Sequence, residues 1–234
     1  RISDGAMVSA YCVIGANVEI GEGSWIGPHT VINGPTVIGI NNRVFQFCSI
    51  GDDPQDKKYE SDAESALQIG DDNVIREYCS INRGTSAGGG LTRLGNDNWI
   101  MAYVHVAHDC QIGSHNVFAN NTTLAGHVLV EDYVILGGFT GVHQFCRIGR
   151  HSFSAISTVI VKDIPPYLMI SGNTARPTGL NREGLKRHGM SGEKIDKLKK
   201  AYKVVYRDGL LLKDALEALS VLEQDCPEII DFSR

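Results

Sequence analysis

Long hydrophobic runs are missing from this 234-residue chain: no stretch approaches the roughly 18 uninterrupted apolar residues of a membrane span. The first residues carry neither a basic segment nor an apolar one behind it, so no secretory leader is read and a cytoplasmic setting is expected. Positive charge is not in surplus, since 22 Lys and Arg stand against 27 Asp and Glu, a formal charge of -5. Neutralising phosphates needs a basic surface, so nucleic acid is not an expected partner. Large rings are scarce, with 2 Trp, 8 Tyr and 7 Phe against 26 Gly, which points to tight and repetitive backbone packing. The length suits one large domain or one domain with an appendage.

What is present is a period of six. Every sixth residue from Ile2 is aliphatic through Val8, Ile14, Ile20, Ile26, Ile32, Ile38, Val44 and Ile50. The register resumes at Ile69, Ile75 and Ile81, runs from Leu94 through Ile148, falters at Ser154 and ends at Ile160. Gly follows many of these aliphatics as a turn-permitting residue, and the position four later is small or medium, as at Ala6, Ser24, Thr30, Thr122 and Thr140. A helix would space its apolar residues by three and four. A period of six with a small inward side chain describes a three-sided coil whose flat sides are short strands. One coil takes about 18 residues, so residues about 18 apart stack in a column along the axis. The predicted fold is an all-β parallel β-helix over residues 1–165 with a C-terminal helical domain over 166–234. Hexapeptide proteins are left-handed as a class, and periodicity alone does not supply the hand.

Five of the six cysteines, Cys12, Cys48, Cys79, Cys110 and Cys146, fall on the small inward position and read as core fillers in a reducing compartment. Cys226 stays unassigned. The register breaks at 52–68 and 86–93, both polar or glycine-rich, which read as loops ejected at coil corners to serve a binding face. Past Pro165 and Pro166, Ser191 to Arg207 reads as an amphipathic helix with a Ser start, and Leu211 to Glu223 as another. Arg182, Lys186, Arg187, Lys194, Lys197, Lys199, Lys200, Lys203 and Arg207 make this tail basic in an acidic chain, which calls for an acidic partner.

Counted on the coil, His108, His127 and His143 fall on one corner of three successive rungs, together with Asp109 and Gln144. Stacked histidines make a polar cleft wall, and two chemistries suit it. In one, His108 is a general base whose tautomer is fixed by Asp109 or a backbone carbonyl. In the other, histidines of adjoining subunits hold a metal, as in the γ-class carbonic anhydrases of the same fold. That family carries a His pair close to five apart, whereas His105 and His108 have only two residues between them.

The segments His105 to Cys110, Ala119 to Asn121, Leu124 to His127, Val142 to Cys146, Pro165 to Tyr167, Ser171 to Asn173 and Glu183 to Arg187, with Gln55 to Tyr59 in the first insertion, cover nearly the whole chain. In them it resembles the UDP-N-acetylglucosamine O-acyltransferases of lipid A biosynthesis. The related N-acyltransferases of that pathway usually carry an extra N-terminal uridine-binding domain, and the repeat here starts at Ile2. The resemblance implies acyl transfer from acyl carrier protein to a UDP-amino sugar, a homotrimer with sites between subunits, and no cofactor or metal. It gives His108 the role of base, Asp109 its support and the Gly126 amide that of oxyanion donor. Asp56, Lys58, His105, His127, His143 and Gln144 would contact sugar and phosphates, and Asn181, Glu183 and Arg187 the nucleotide. Ile156 would limit the acyl chain to a medium length, nearer about ten carbons than about fourteen. Asn82 stands where many members have His, and His188 where Arg is common.

Overall fold

In a computed structural model, which describes residues 1–59 and 65–233 without the Ser233 side chain, most aliphatics in register end a short strand, as in Trp25–Ile26, Gln111–Ile112 and Leu129–Val130. The strands stack in parallel on three faces of a left-handed β-helix. The first face runs from Met7–Val8 to Leu168–Ser171, the second from Val13–Ile14 to Val159–Ile160, and the third from Val18–Ile20 to Arg147–Ile148. Gln111 pairs with Leu129 and Leu129 with Arg147, one coil apart at each step. Ile26, Ile32, Val44, Ile50, Ile75, Ile100, Phe118, Leu124 and Ile148 are wholly excluded from water in one continuous core. Burying each such side chain contributes about 1.5 to 3 kcal/mol.

The glycines act differently from the expectation. At most corners the left-handed turn falls three residues after the aliphatic, on Tyr103, Asp109 and His115 in one coil, with φ of 65°, 60° and 61°. Gly directly after the aliphatic serves close approach instead: a Cβ on Gly21 would meet the Gly39 carbonyl oxygen at 2.4 Å. The left-handed corner residues stack as ring columns along the outside, such as His29, Phe47, Tyr78 and Tyr103 with centroids 4.8 to 5.3 Å apart.

Cys48, Cys79, Cys110 and Cys146 are buried at the inward position; Cys12, in an outer rung, is half-buried, and all six thiols are free. Cys110 donates to the Ala125 carbonyl at 3.2 Å, and burial pushes its thiol up to about 12. Asparagine takes the same inward position at Asn42, Asn73, Asn98 and Asn116. Each side-chain oxygen accepts the backbone N–H of the next rung, at 2.7 to 3.0 Å, ending on Val134. Buried amides need such partners, and a ladder supplies them rung by rung.

Both ejected segments are shorter than the breaks in the aliphatic register. Ala66–Ile69 and Leu91–Leu94 are already strands of the third face, because Leu67 and Thr92 fill its inward position. At the other end, parallel pairing passes Pro165 and Pro166 to Leu168–Ser171, which turns back as a hairpin with Arg176–Leu180. Helices α1 (Arg182–Arg187), α2 (Gly192–Tyr206), α3 (Leu212–Glu223) and α4 (Ile230–Ser233) follow. Ser191 caps α2 through the Lys194 amide, and Ile195, Leu198, Ala201 and Tyr202 are its buried side. Cys226 is buried beside Glu228. No helix among the described residues is long and apolar enough to cross a membrane.

Candidate active site

The corner between the second and third faces holds the predicted histidines. Asp109 takes the left-handed position there, which Asp tolerates better than a branched residue, and its side chain is only 1% exposed. His108 Nδ1 lies 2.8 Å from Asp109 Oδ2. A carboxylate only accepts, so Nδ1 is the donor, which in the neutral ring leaves the lone pair on Nε2. Asp109 is held from the other side by Thr85, whose amide donates to Oδ1 at 2.9 Å and whose hydroxyl donates to Oδ2 at 2.7 Å. Its own amide donates to Thr92 Oγ1 at 2.8 Å. Thr85 and Thr92 flank the second insertion and were missed in the sequence; threonines at both ends of a glycine-rich break were the available signal.

Gly126, one rung on, lies against the His108 ring. A Cβ there would meet His108 Cε1 at 2.6 Å and Nε2 at 2.8 Å, so only glycine fits beside that ring. Among the described residues the Gly126 N–H donates to no acceptor. Nε2 and an open backbone N–H therefore stand together, the pairing that acyl transfer to a hydroxyl requires. His127 sits edge-on to His108 with centroids 5.1 Å apart and stacks on Phe145 at 4.5 Å. His105 bonds Ser80 Oγ at 2.7 Å, and burial, then the charge of His108, hold it below the usual imidazole range. His143 and Gln144 are exposed one rung farther, with His143 Nδ1 3.2 Å from the Gln144 carbonyl.

His108, Asp109 and His127 bring one ligand atom each within 4.8 Å of one another, a possible cation set. Both Asp109 oxygens are already engaged by Thr85 and His108, which makes the cluster a hydrogen-bonded dyad with a second imidazole beside it.

The remaining predicted residues lie elsewhere on this chain. Asp56 accepts the Lys58 amide at 2.9 Å in a local turn of the first insertion, and both side chains are exposed. That insertion is anchored by buried Arg83, which pairs with Asp53 and donates to the Gly51 carbonyl at 3.0 Å. Asn82 donates to the Asp53 carbonyl at 2.9 Å, and its own buried oxygen has no partner among the described residues. Asn181 caps α1 and donates to the His151 carbonyl at 2.9 Å, at the corner between the third and first faces. Glu183 and Arg187 are exposed on α1, Glu183 3.4 Å from Lys186. His188 ends that helix and leans on Tyr133 and His151, centroids 4.7 and 5.2 Å away. Ile156 is 70% exposed at the third corner, between the first and second faces. Three groups of predicted residues thus occupy three different corners.

Residues 163–234 match the family model described as UDP N-acetylglucosamine O-acyltransferase, domain 2, and residues 1–34 and 92–126 match that of the bacterial transferase hexapeptide. An acyl-(acyl-carrier-protein)–UDP-N-acetylglucosamine O-acyltransferase of Herminiimonas arsenicoxydans is 53% identical over 241 residues, covering 98% of this chain and 92% of its own. One of Stenotrophomonas maltophilia is 50% identical, covering 99% and 89%. The chain belongs to this family. The solved UDP-N-acetylglucosamine O-acyltransferase of Moraxella catarrhalis superposes with a TM-score of 0.91 at 45% identity, covering 98% of this chain and 91% of that one. That of Francisella novicida gives 0.92 at 45%, covering 99% and 87%. Membership in the O-acyltransferase family agrees with the dyad geometry and leaves the γ-class carbonic anhydrase and N-acyltransferase readings unfavoured.

Proposed function

We propose that this chain transfers an acyl group from the thioester of acyl carrier protein to the 3-hydroxyl of UDP-N-acetylglucosamine, the first step of lipid A biosynthesis. The observation that carries this is His108 Nε2 facing Gly126 while Nδ1 is tied to Asp109. His108 Nε2 takes the hydroxyl proton as the sugar oxygen attacks the thioester carbon. The Gly126 N–H receives the oxyanion, which collapses as the C–S bond breaks, and the leaving thiolate takes the proton back from Nε2. His105, His127, His143 and Gln144 contact the sugar and phosphates along this corner, with Asp56 and Lys58; Asn181, Glu183 and Arg187 hold the nucleotide. Because those groups and Ile156 occupy three corners of one chain, a complete site needs adjoining copies, and we assign a homotrimer with sites between subunits. Parallel prisms in a trimer bring different corners face to face.

Lys199, Lys200 and Lys203 are exposed and make no ion pair among the described residues, unlike Lys194 with Glu228 and Lys197 with Glu193. They form the docking surface for the acidic carrier protein in the cytoplasm, so the donor Michaelis constant rises with salt. The deciding experiment is thioester-dependent acylation of UDP-N-acetylglucosamine by the purified chain. An O-acylated sugar nucleotide is the expected product. No product with any donor, or a tightly held stoichiometric zinc, overturns the proposal.

A further inference from the structure

The glycine-rich second insertion was expected to serve a binding face, yet its contacts run inward to the Asp109 carboxylate. Thr85 Oγ1 accepts the Gly88 N–H at 3.0 Å, which fixes the direction of its own proton toward Asp109 Oδ2. The short turn Ser86–Gly88 that this bond closes lays Gly88 flat on the carboxylate: a Cβ there would stand 2.2 Å from Asp109 Oδ2. Gly89 and Gly90 then return the chain through φ of 99° and 78° to the strand whose Thr92 holds the Asp109 amide. Three donors therefore converge on the two carboxylate oxygens, Thr85 N–H, Thr85 Oγ1–H and His108 Nδ1–H, with the side chain sealed from water. A carboxylate free to rotate could offer either oxygen to His108 or turn to water. One pinned by Thr85 offers only Oδ2.

We propose that Thr85 is a positioning residue for the acyl transfer and that the second insertion acts as a clamp on Asp109, not as a substrate contact. Thr85 acts through Asp109 on the tautomer and aim of His108. The inference rests on the base role given to His108 above, and its signature is a loss in turnover without a loss in substrate affinity.

The test compares Thr85→Val, which keeps shape and loses the hydroxyl, with Thr85→Ser, which keeps the hydroxyl. Thr85→Val is expected to lower kcat about ten- to a hundredfold, the worth of one hydrogen bond to a charged group, with both Michaelis constants within about twofold. Thr85→Ser should recover most of that loss. In an Asp109→Asn background, Thr85→Val should cost little more, because the two act as one unit. Selective nitrogen-15 labelling of histidine reads the same device without turnover: the hydrogen-bonded His108 Nδ1 proton should shift or vanish in Thr85→Val and persist in Thr85→Ser. Gly88→Ala, whose added methyl would press on the same carboxylate, should repeat the Val pattern. A raised Michaelis constant at normal kcat, additive losses with Asp109→Asn, or an unchanged Nδ1 signal in Thr85→Val each overturn the clamp. Absence of acylation by the unaltered protein strikes the proposed function, while the resonance comparison still decides the clamp.

Discussion

Two corners of the same solenoid carry histidines at the same left-handed repeat position and use them oppositely. At the corner between the second and third faces, Asp109, His127 and Phe145 occupy that position; between the third and first faces, it is His115, Tyr133, His151 and Tyr167. The second column is a closed ladder of rings, with His115, Tyr133 and His151 at 4.7 and 4.8 Å and His188 leaning in from α1. The first is interrupted: a carboxylate replaces one ring, a glycine opens the next rung, and a loop seals the carboxylate. Stacking rings builds a wall to which a helix docks; breaking the stack with one buried acid and one bare amide leaves the corner to which we assign the acyl transfer. The repeat supplies the position and the exceptions to it supply the chemistry.

The sharpest way to break this contrast is His108→Ala. Turnover is expected to fall by about two to four powers of ten with the fold intact, since His108 is only partly buried and stands outside the aliphatic core. Steady-state rates alongside circular dichroism check it, and near-normal turnover would remove His108 from the mechanism. Next comes a pair of glycines. Gly126→Ala must push on the His108 ring, and a loss of about a hundredfold or more in kcat is expected. Gly141→Ala, in the strand that leads into the next rung of this corner and with nothing within 4 Å of its Cβ, should leave kcat within about twofold. Equal effects would mean that the bare amide is not special.

The ladder corner predicts a pH effect on stability instead of on chemistry. Burial, then the charges of His188 and Arg150, hold His151 down to about 4, against an ordinary value of 6.5, with Asp132 opposing. Above 6.5 both folded and unfolded chains carry it neutral and the stability is whole. As pH falls from 6.5 toward 4, only the unfolded chain takes up the proton, so stability is lost across that window. At about 1.4 kcal/mol per unit, and allowing for solvent screening of a partly exposed ring, the loss is about 1 to 2 kcal/mol. His151→Phe keeps a stacked ring and removes the buried Nδ1 that lacks a partner among the described residues, so denaturant melts should show that part of the fall flattened. An unchanged fall would place the effect elsewhere.

The smallest expected effect is at Ile156. If it ends the acyl groove, each methylene admitted by Ile156→Gly gains about 0.8 kcal/mol, roughly fourfold in kcat/KM for the longer donor. Donors of increasing length against both proteins decide it, and an unchanged preferred length removes Ile156 as the ruler.

The sequence by itself determined the solenoid, because a six-residue period leaves one way to bury an aliphatic at every turn. It also determined which side chains share a corner, since residues one coil apart must stack; His108, Asp109, His127, His143 and Gln144 were legible together for that reason, whereas Gly126 came only with the family resemblance. What it could not show is where side chains without a period reach. Nothing in the spacing of Asn42, Asn73, Asn98 and Asn116 announces a ladder, and only stacking turns each amide toward the next rung. Leu67 and Thr92 lie inside apparent loops, yet strand pairing draws them into the core. Thr85 reaches Asp109 across 24 residues of sequence and His188 reaches Tyr133 from a helix beyond the repeat, contacts set by how an ejected loop and a docked helix fold back. Periodic contacts are fixed by local spacing, whereas these depend on the path of irregular chain, which the tertiary structure alone decides.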